Sequence, residues 1–231
     1  MPSILITGAN RGIGLELTRQ YAADGWTVYA CCRKPAEAQH LQTLAQGFHG
    51  TVEIHELDVT NEQQRQALAA KLNVPIDILF NNAGVSGGWG HQAFGQTDVQ
   101  AWRDTLENNV IAPQKMMEAF VDHVAASQLK IMANMTSRMA SMADNSSGGA
   151  YLYRSSKAGL NAVCVSAARD LAKQDLKVVA LHPGWVRTDM GGSGGELSVA
   201  QSVTALRRNL SNVTANDSGR FIDIDGSTIP W

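Results

Sequence analysis

Short strand-like runs alternate with longer stretches of helical spacing along almost all of this 231-residue chain, and that alternation leaves few folds open. The strand-like runs cover residues 3–7, 26–32, 51–57, 76–81, 129–136, 177–182 and a short 220–224. Between them the spacing predicts helices over 14–24, 35–46, 61–72, 98–126, 151–174 and 196–210. Strands and helices of these lengths in alternation mean βαβ units, right-handed crossovers and a parallel sheet covered on both faces. The expected fold is a single doubly wound α/β domain of Rossmann type with about seven strands. Hydrophobic residues make up 44% of the chain, enough to fill the core this requires. Three Gly/Ser-rich stretches, 86–95, 142–149 and 191–195, each follow a strand, where such sheets place their ligand crevice, and are read as flexible.

Composition removes several functions. A formal net charge of −2 argues against nucleic acid and against an anionic membrane surface as partners. The three cysteines are Cys31, Cys32 and Cys164; an adjacent pair lacks metal-ligand spacing, and the odd count builds no disulfide framework. They read as small buried hydrophobes, with no metal site and a reducing compartment. The opening MPSILITGAN lacks a basic n-region, and no stretch approaches a membrane span, so a cytoplasmic protein is expected.

The segment TGANRGIG, residues 7–14, lies between the first strand and the first helix. Glycine there permits a tight turn and close approach of backbone to a pyrophosphate resting on a helix N-terminus. The second strand ends Cys31-Cys32-Arg33-Lys34, with none of the carboxylate that NAD-preferring sites place there. Arg11 in the turn and Arg33 after the strand suit a 2′-phosphate, which favours NADPH; otherwise they are two solvated arginines. Asp58 and the Val59 N–H can meet an adenine, or Asp58 simply caps the next helix. Asn81-Asn82-Ala83-Gly84 ends the fourth strand with amides to brace the sheet and small residues that leave room for a flat ligand. In YLYRSSKAGL, Tyr153 and Lys157 are four residues apart and share a helix face, although that spacing alone recurs by chance.

TGANRGIG, NNAG, a serine after the fifth strand, YRSSK and HPGWVRTDM, in this order, resemble the short-chain dehydrogenase/reductase family. Within it, HPGWVRTDMGG and FIDIDGSTIPW look most like sniffer-type carbonyl reductases and C-factor-like proteins. The resemblance implies a cofactor half over about 1–130 and a catalytic and substrate half over about 131–231. It implies Tyr153 as acid/base and Lys157 as the residue that lowers the tyrosine pKa and holds the nicotinamide ribose. Ser137, rather than Thr136, matches the serine that binds the substrate oxygen, and Asn109, with Asn108 as its rival, the asparagine that holds a relay water. Gly8, Asn10, Arg11, Gly12, Ile13 and Gly14 match the pyrophosphate turn, while Arg33, Asp58, Val59, Asn82, Ala83 and Gly84 match the adenosine side and sheet edge. Pro183, Gly184, Val186 and Thr188 match the loop over the nicotinamide. The implied activity is NADPH-dependent reduction of an aldehyde or ketone by a homodimer. The alternative is a C-factor-like signalling or redox-sensing protein with incidental turnover. Trp89, His91, Phe94, Met139, Met142, Trp185 and Met190 can line a substrate pocket. The stretch from Ser137 to Tyr153 is slightly longer than in many family members, and the one after Thr188 is short and Gly-rich.

Overall fold

The strands are β1 (Ser3–Thr7), β2 (Thr27–Cys32), β3 (Val52–Glu56), β4 (Ile78–Asn81), β5 (Ile131–Met135), β6 (Lys177–Leu181) and β7 (Phe221–Ile222). This computed structural model describes residues 1–231, the side chain of His91 excepted. The seven strands form one sheet in the order β3-β2-β1-β4-β5-β6-β7. Every neighbouring pair is parallel. The order reverses between β1 and β4, and such a switch point opens a crevice outside the carboxyl ends of the strands.

The helices are α1 (Gly12–Ala23), α2 (Gln39–Gly47), α3 (Glu62–Leu72), α4 (Val99–Leu106), α5 (Ala112–Ala125), α6 (Tyr151–Asp170) and α7 (Val199–Ser211). Side-chain alternation sorts the strands between two apolar layers. Ile4 and Ile6 pack with Leu17, Leu41 and Leu206 under α1, α2 and α7. Leu5 faces the other way, with Leu68, Phe120 and Leu160 under α3, α5 and α6. Both faces of β1 are therefore apolar, as a covered parallel sheet demands.

The helix expected over 98–126 is interrupted. A π-helical turn, Glu107–Ile111, separates α4 from α5, and the Ala112 N–H donates to the Glu107 carbonyl five residues back. The cause is Pro113, in the first turn of α5: it has no N–H to give the Asn109 carbonyl, so regular α-bonding cannot run through. The helix expected over 35–46 is likewise a 3-10 turn, Pro35–Glu37, followed by α2, because Ala38 leaves helical geometry (φ −91°, ψ 61°). The helix expected to reach 174 ends at Asp170 and runs on as a 3-10 turn, Ala172–Gln174, stopped where Asp175 turns left-handed. The last helix starts at Val199 rather than 196, set by a Ser198/Gln201 capping box. The stretch 191–195 is wound tightly on its neighbours: Trp185 Nε1 donates to the Gly191 carbonyl at 2.8 Å, and Arg187 Nη1 to the Gly195 carbonyl at 2.8 Å. Gly191 and Gly195 answer packing, and Gly192 a positive φ of 74°. A Cβ on Gly195 would meet the Arg187 amide nitrogen at 2.5 Å.

Candidate active site

The glycine turn and the end of β4 are built against each other. A Cβ on Gly8 (φ +67°) would come within 3.0 Å of Ala83 Cα, and one on Gly14 would overlap the Gly8 carbonyl and reach Asn82 Nδ2 at 2.6 Å. Asn82 Nδ2 donates to the Thr7 and Gly8 carbonyls at 2.9 and 3.2 Å, and Thr7 Oγ1 accepts the Asn82 and Ala83 N–H groups. Asn82 thus braces the turn. Helix α1 starts from Arg11 with no side-chain cap, so its first N–H groups face the crevice beside Asn10, Gly12 and Ile13. An uncapped helix start behind glycines that no side chain can replace fits a dinucleotide pyrophosphate.

Arg33 is exposed at the end of β2 with no ion pair among the described residues. Arg11 is paired with Asp189 at 2.7 Å, both side chains largely in solvent. Asp58 neither caps α3 nor stands free: Asn61 caps that helix, while Asp58 Oδ1 accepts from Thr60 N and Oγ1 at 3.0 and 2.7 Å. Val59 is buried next to it, its carbonyl accepting from Arg65. Across the crevice, Pro183 accepts from Ser202 Oγ at 2.6 Å, and Gly184 (φ +78°) leaves only 2.5 Å between a Cβ and Leu197. Val186 is buried, and Thr188 approaches Gly12, whose Cβ would lie 3.6 Å from its Cγ2. The loop after β6 therefore closes over the glycine turn.

Ser137, Tyr153, Lys157 and Asn109 all reach this edge and all are buried. Ser137 follows β5, its Oγ accepting from Met139 N at 3.2 Å, and lies near enough to the Tyr153 hydroxyl to favour the phenolate. Lys157 Nζ donates to the Met135 carbonyl at 2.8 Å and lies 5.8 Å from the Tyr153 ring centroid. Asn109 spends its whole amide on protein: Nδ2 donates to the Val85 carbonyl and Ser156 Oγ at 2.8 and 2.9 Å, and Oδ1 accepts from Val85 N at 2.9 Å. A Cβ on Gly84 would meet Asn109 Oδ1 at 3.1 Å and Lys157 Nζ at 3.4 Å, so the three converge there. The rivals turn elsewhere. Asn108 donates to the Asp104 carbonyl in α4, Thr136 to the Lys157 carbonyl, and Tyr151 leans on Phe94 at the surface.

One expectation is reversed. In the free protein burial pushes the Tyr153 hydroxyl up to about 12, with nearby Ser137 opposing, and the lysine does not pull it down. Lys157 suffers the same burial and falls to about 8. Neither charged form is welcome in the free protein, because burial strips both groups of water.

Trp89, with its ring edge-on to Tyr153 at 5.5 Å, Phe94, Met142, Trp185 and Met190 are all exposed around the mouth, and Met139 is half-buried. The His91 side chain lies outside the described residues. The sequence reading missed Gln92. It is buried, its Oε1 accepts from Tyr153 N at 2.9 Å, and no periodicity marks a lone glutamine in a Gly-rich loop. It also missed Asp189, although that acid lies inside the HPGWVRTDM motif.

The sequence profile described as short chain dehydrogenase matches residues 2–196. The chain belongs to the short-chain dehydrogenase/reductase family. This family member is 41% identical to C-signal of Myxococcus xanthus over 157 residues, 68% of this chain and 93% of that protein. Among solved structures it resembles the carbonyl reductase Sniffer of D. melanogaster, with 32% identity, a TM-score of 0.93 and full coverage of both chains. It matches the NADPH-bound carbonyl reductase from chicken fatty liver equally well, with 32% identity, a TM-score of 0.93 and coverage of 100% and 99%. The dehydrogenase fold is thus that of its neighbours throughout, and among the described residues no helix is long and apolar enough to cross a membrane.

Proposed function

We propose that the protein reduces an aldehyde or ketone to the alcohol with NADPH. The observation that carries this is the convergence of buried Ser137, Tyr153 and Lys157, the last two one helical turn apart, at the sheet edge beside the glycine turn. A redox sensor that only binds a dinucleotide has no use for a buried proton donor, which weighs against a purely signalling role.

NADPH, when bound, supplies the hydride. The glycine turn with Asn10 and Ile13 holds its pyrophosphate, Arg33 and Arg11 its 2′-phosphate, and Asp58 and Val59 its adenine. Asn82, Ala83 and Gly84 line its path, Tyr153 and Lys157 take the ribose, and Pro183, Gly184, Val186 and Thr188 hold the carboxamide. Ser137 donates a hydrogen bond to the substrate oxygen as charge builds there. Tyr153 gives that oxygen a proton, and the adjacent ammonium of Lys157 stabilises the phenolate left behind. The Asn109 amide is fully engaged with Val85 and Ser156, so its main-chain carbonyl, denied an α-helical partner by Pro113, is the group left to hold a relay water. Incubation with a panel of aliphatic and aromatic carbonyl compounds, followed by NADPH absorbance, tests the reading. Failure of every carbonyl to consume NADPH rejects it.

Cofactor choice is separately testable. The protein binds NADPH more tightly than NADH, and the Arg11→Ala, Arg33→Ala variant loses at least ~10-fold of that preference, since two cations facing one phosphate each make a charge-assisted hydrogen bond. Titration of both cofactors by fluorescence decides this. Equal native affinities would sink the assignment.

Assembly as a homodimer through α4, α5 and α6 is supported by apolar groups left open there, Val99 at 59% and Ile111 at 46% exposure. Sedimentation at micromolar concentration returns the mass of two chains; a single-chain mass overturns the pairing.

A further inference from the structure

Helix α6 carries Tyr153 in its first turn and begins without a cap of its own. Its N-cap residue, Ala150, is left-handed (φ 49°) and offers no side-chain acceptor. Tyr153 N–H is among the early helical donors that need a partner from outside the helix. That partner is Gln92, 61 residues earlier in the chain and only 3% exposed. Its Oε1 accepts from Tyr153 N at 2.9 Å, while its Nε2 donates to the Ser86 and Gly88 carbonyls at 2.6 and 3.2 Å. The Gln92 main-chain carbonyl faces the Tyr151 N–H at 3.4 Å, a weaker contact. The same loop presents Trp89 edge-on to the Tyr153 ring.

We infer that Gln92 is a positioning residue: it caps the first turn of α6 from the loop after β4 and thereby fixes the Tyr153 phenol relative to Ser137. The inference rests on the carbonyl reduction proposed above. Ser137 is placed by the end of β5 and Tyr153 by α6, so their approach persists only if the start of α6 does not fray. Uncapped helix ends fray, and displacement of a reacting group by about 1 Å can cost on the order of 100-fold in rate. Gln92 touches neither of the reacting side-chain hydroxyls, so its effect passes through geometry alone.

Two variants test this. Gln92→Leu keeps the volume and removes every side-chain polar contact; Gln92→Glu keeps the acceptor for Tyr153 N–H but sets a carboxylate against the two loop carbonyls. In Gln92→Leu, kcat falls by roughly tenfold or more while NADPH affinity changes by no more than about threefold, because the Tyr153 ribose contact shifts but the glycine turn, Arg33 and Lys157 are untouched. Gln92→Glu lies between Gln92→Leu and the native protein. Hydrogen exchange gives a readout independent of turnover: the Tyr153 amide exchanges at least ~10-fold faster in Gln92→Leu, with protection in β1 and β4 unchanged. Native kcat in Gln92→Leu overturns the inference, even where exchange quickens, since Gln92 then only caps a helix. A native exchange rate at Tyr153 overturns it equally. If the native protein consumes no NADPH with any carbonyl, the reductase reading fails, and exchange alone still decides whether Gln92 secures Tyr153.

Discussion

Tyr153→Phe lowers turnover of an accepted carbonyl compound by at least ~100-fold while NADPH binding stays close to native, because positioned proton transfer typically contributes 10²–10⁴ in rate. The substitution keeps the ring that packs edge-on to Trp89 and deletes only the hydroxyl, which lies beside Ser137. Ser137 Oγ still accepts from Met139 N at 3.2 Å, so the serine is not orphaned and the β5 end keeps its shape. Tyr151→Phe is the matched control: Tyr151 leans on Phe94 at the surface, and its loss leaves turnover within about twofold. Steady-state rates of the two variants side by side are the measurement. A fully active Tyr153→Phe, or a dead Tyr151→Phe, assigns the proton to another group.

Lys157→Met separates stability from activity. Burial holds the Lys157 ammonium at a pKa of about 8, below its ordinary 10.5. A depressed folded-state pKa contributes stability only above the unfolded value, and that contribution is lost as pH falls from about 10.5 to about 8. At pH 7 the protein therefore carries the whole cost of a buried cation, up to about 3 kcal/mol from a shift of this size. Methionine fills the same space without the charge. It gives up one hydrogen bond, to the Met135 carbonyl, which costs about 1 kcal/mol. The variant free of cofactor should gain about 1–2 kcal/mol, raising Tm by several degrees at pH 7, with the gain vanishing near pH 10.5. Turnover should fall at least ~100-fold, since the phenolate loses its neighbouring cation. Thermal melts at the two pH values decide the matter: a Tm lowered at pH 7 would mean the ammonium stabilises the fold after all.

The sheet was legible because parallel strands with helices on both faces must be apolar on both sides, and runs such as Ser3–Thr7 and Lys177–Leu181 can be little else. The glycine turn was legible from its place between the first strand and the first helix. Ser137, Tyr153 and Lys157 came instead from the resemblance to the family, because Tyr-x-x-x-Lys spacing alone recurs by chance. What could not be read were contacts between segments remote in sequence. Gln92 supplies a cap across 61 residues and Asp189 meets Arg11 across 178, and neither leaves a periodic trace. The Tyr153 pKa was misjudged for a related reason. Charge pairs are visible in a sequence, but the depth of burial that outweighs them is set only once α6 is docked on the sheet.

The π-helical turn at Glu107–Ile111 makes the location of Asn109 a matter of counting rather than of identity. An α-helix advances about 100° per residue, so the wider turn acts as a phase shift between α4 and α5. Helix α5 keeps its apolar face on the sheet and α4 its place against α6 only while that offset is retained. Loss of one residue anywhere in the turn would restore regular winding and rotate one helix against the other, carrying Asn109 away from Val85 and Ser156 with every side chain unaltered in kind. The segment can therefore drift in composition far more freely than in length, and a gap opposite it in a related chain would speak more strongly of a changed reaction than any single exchanged residue.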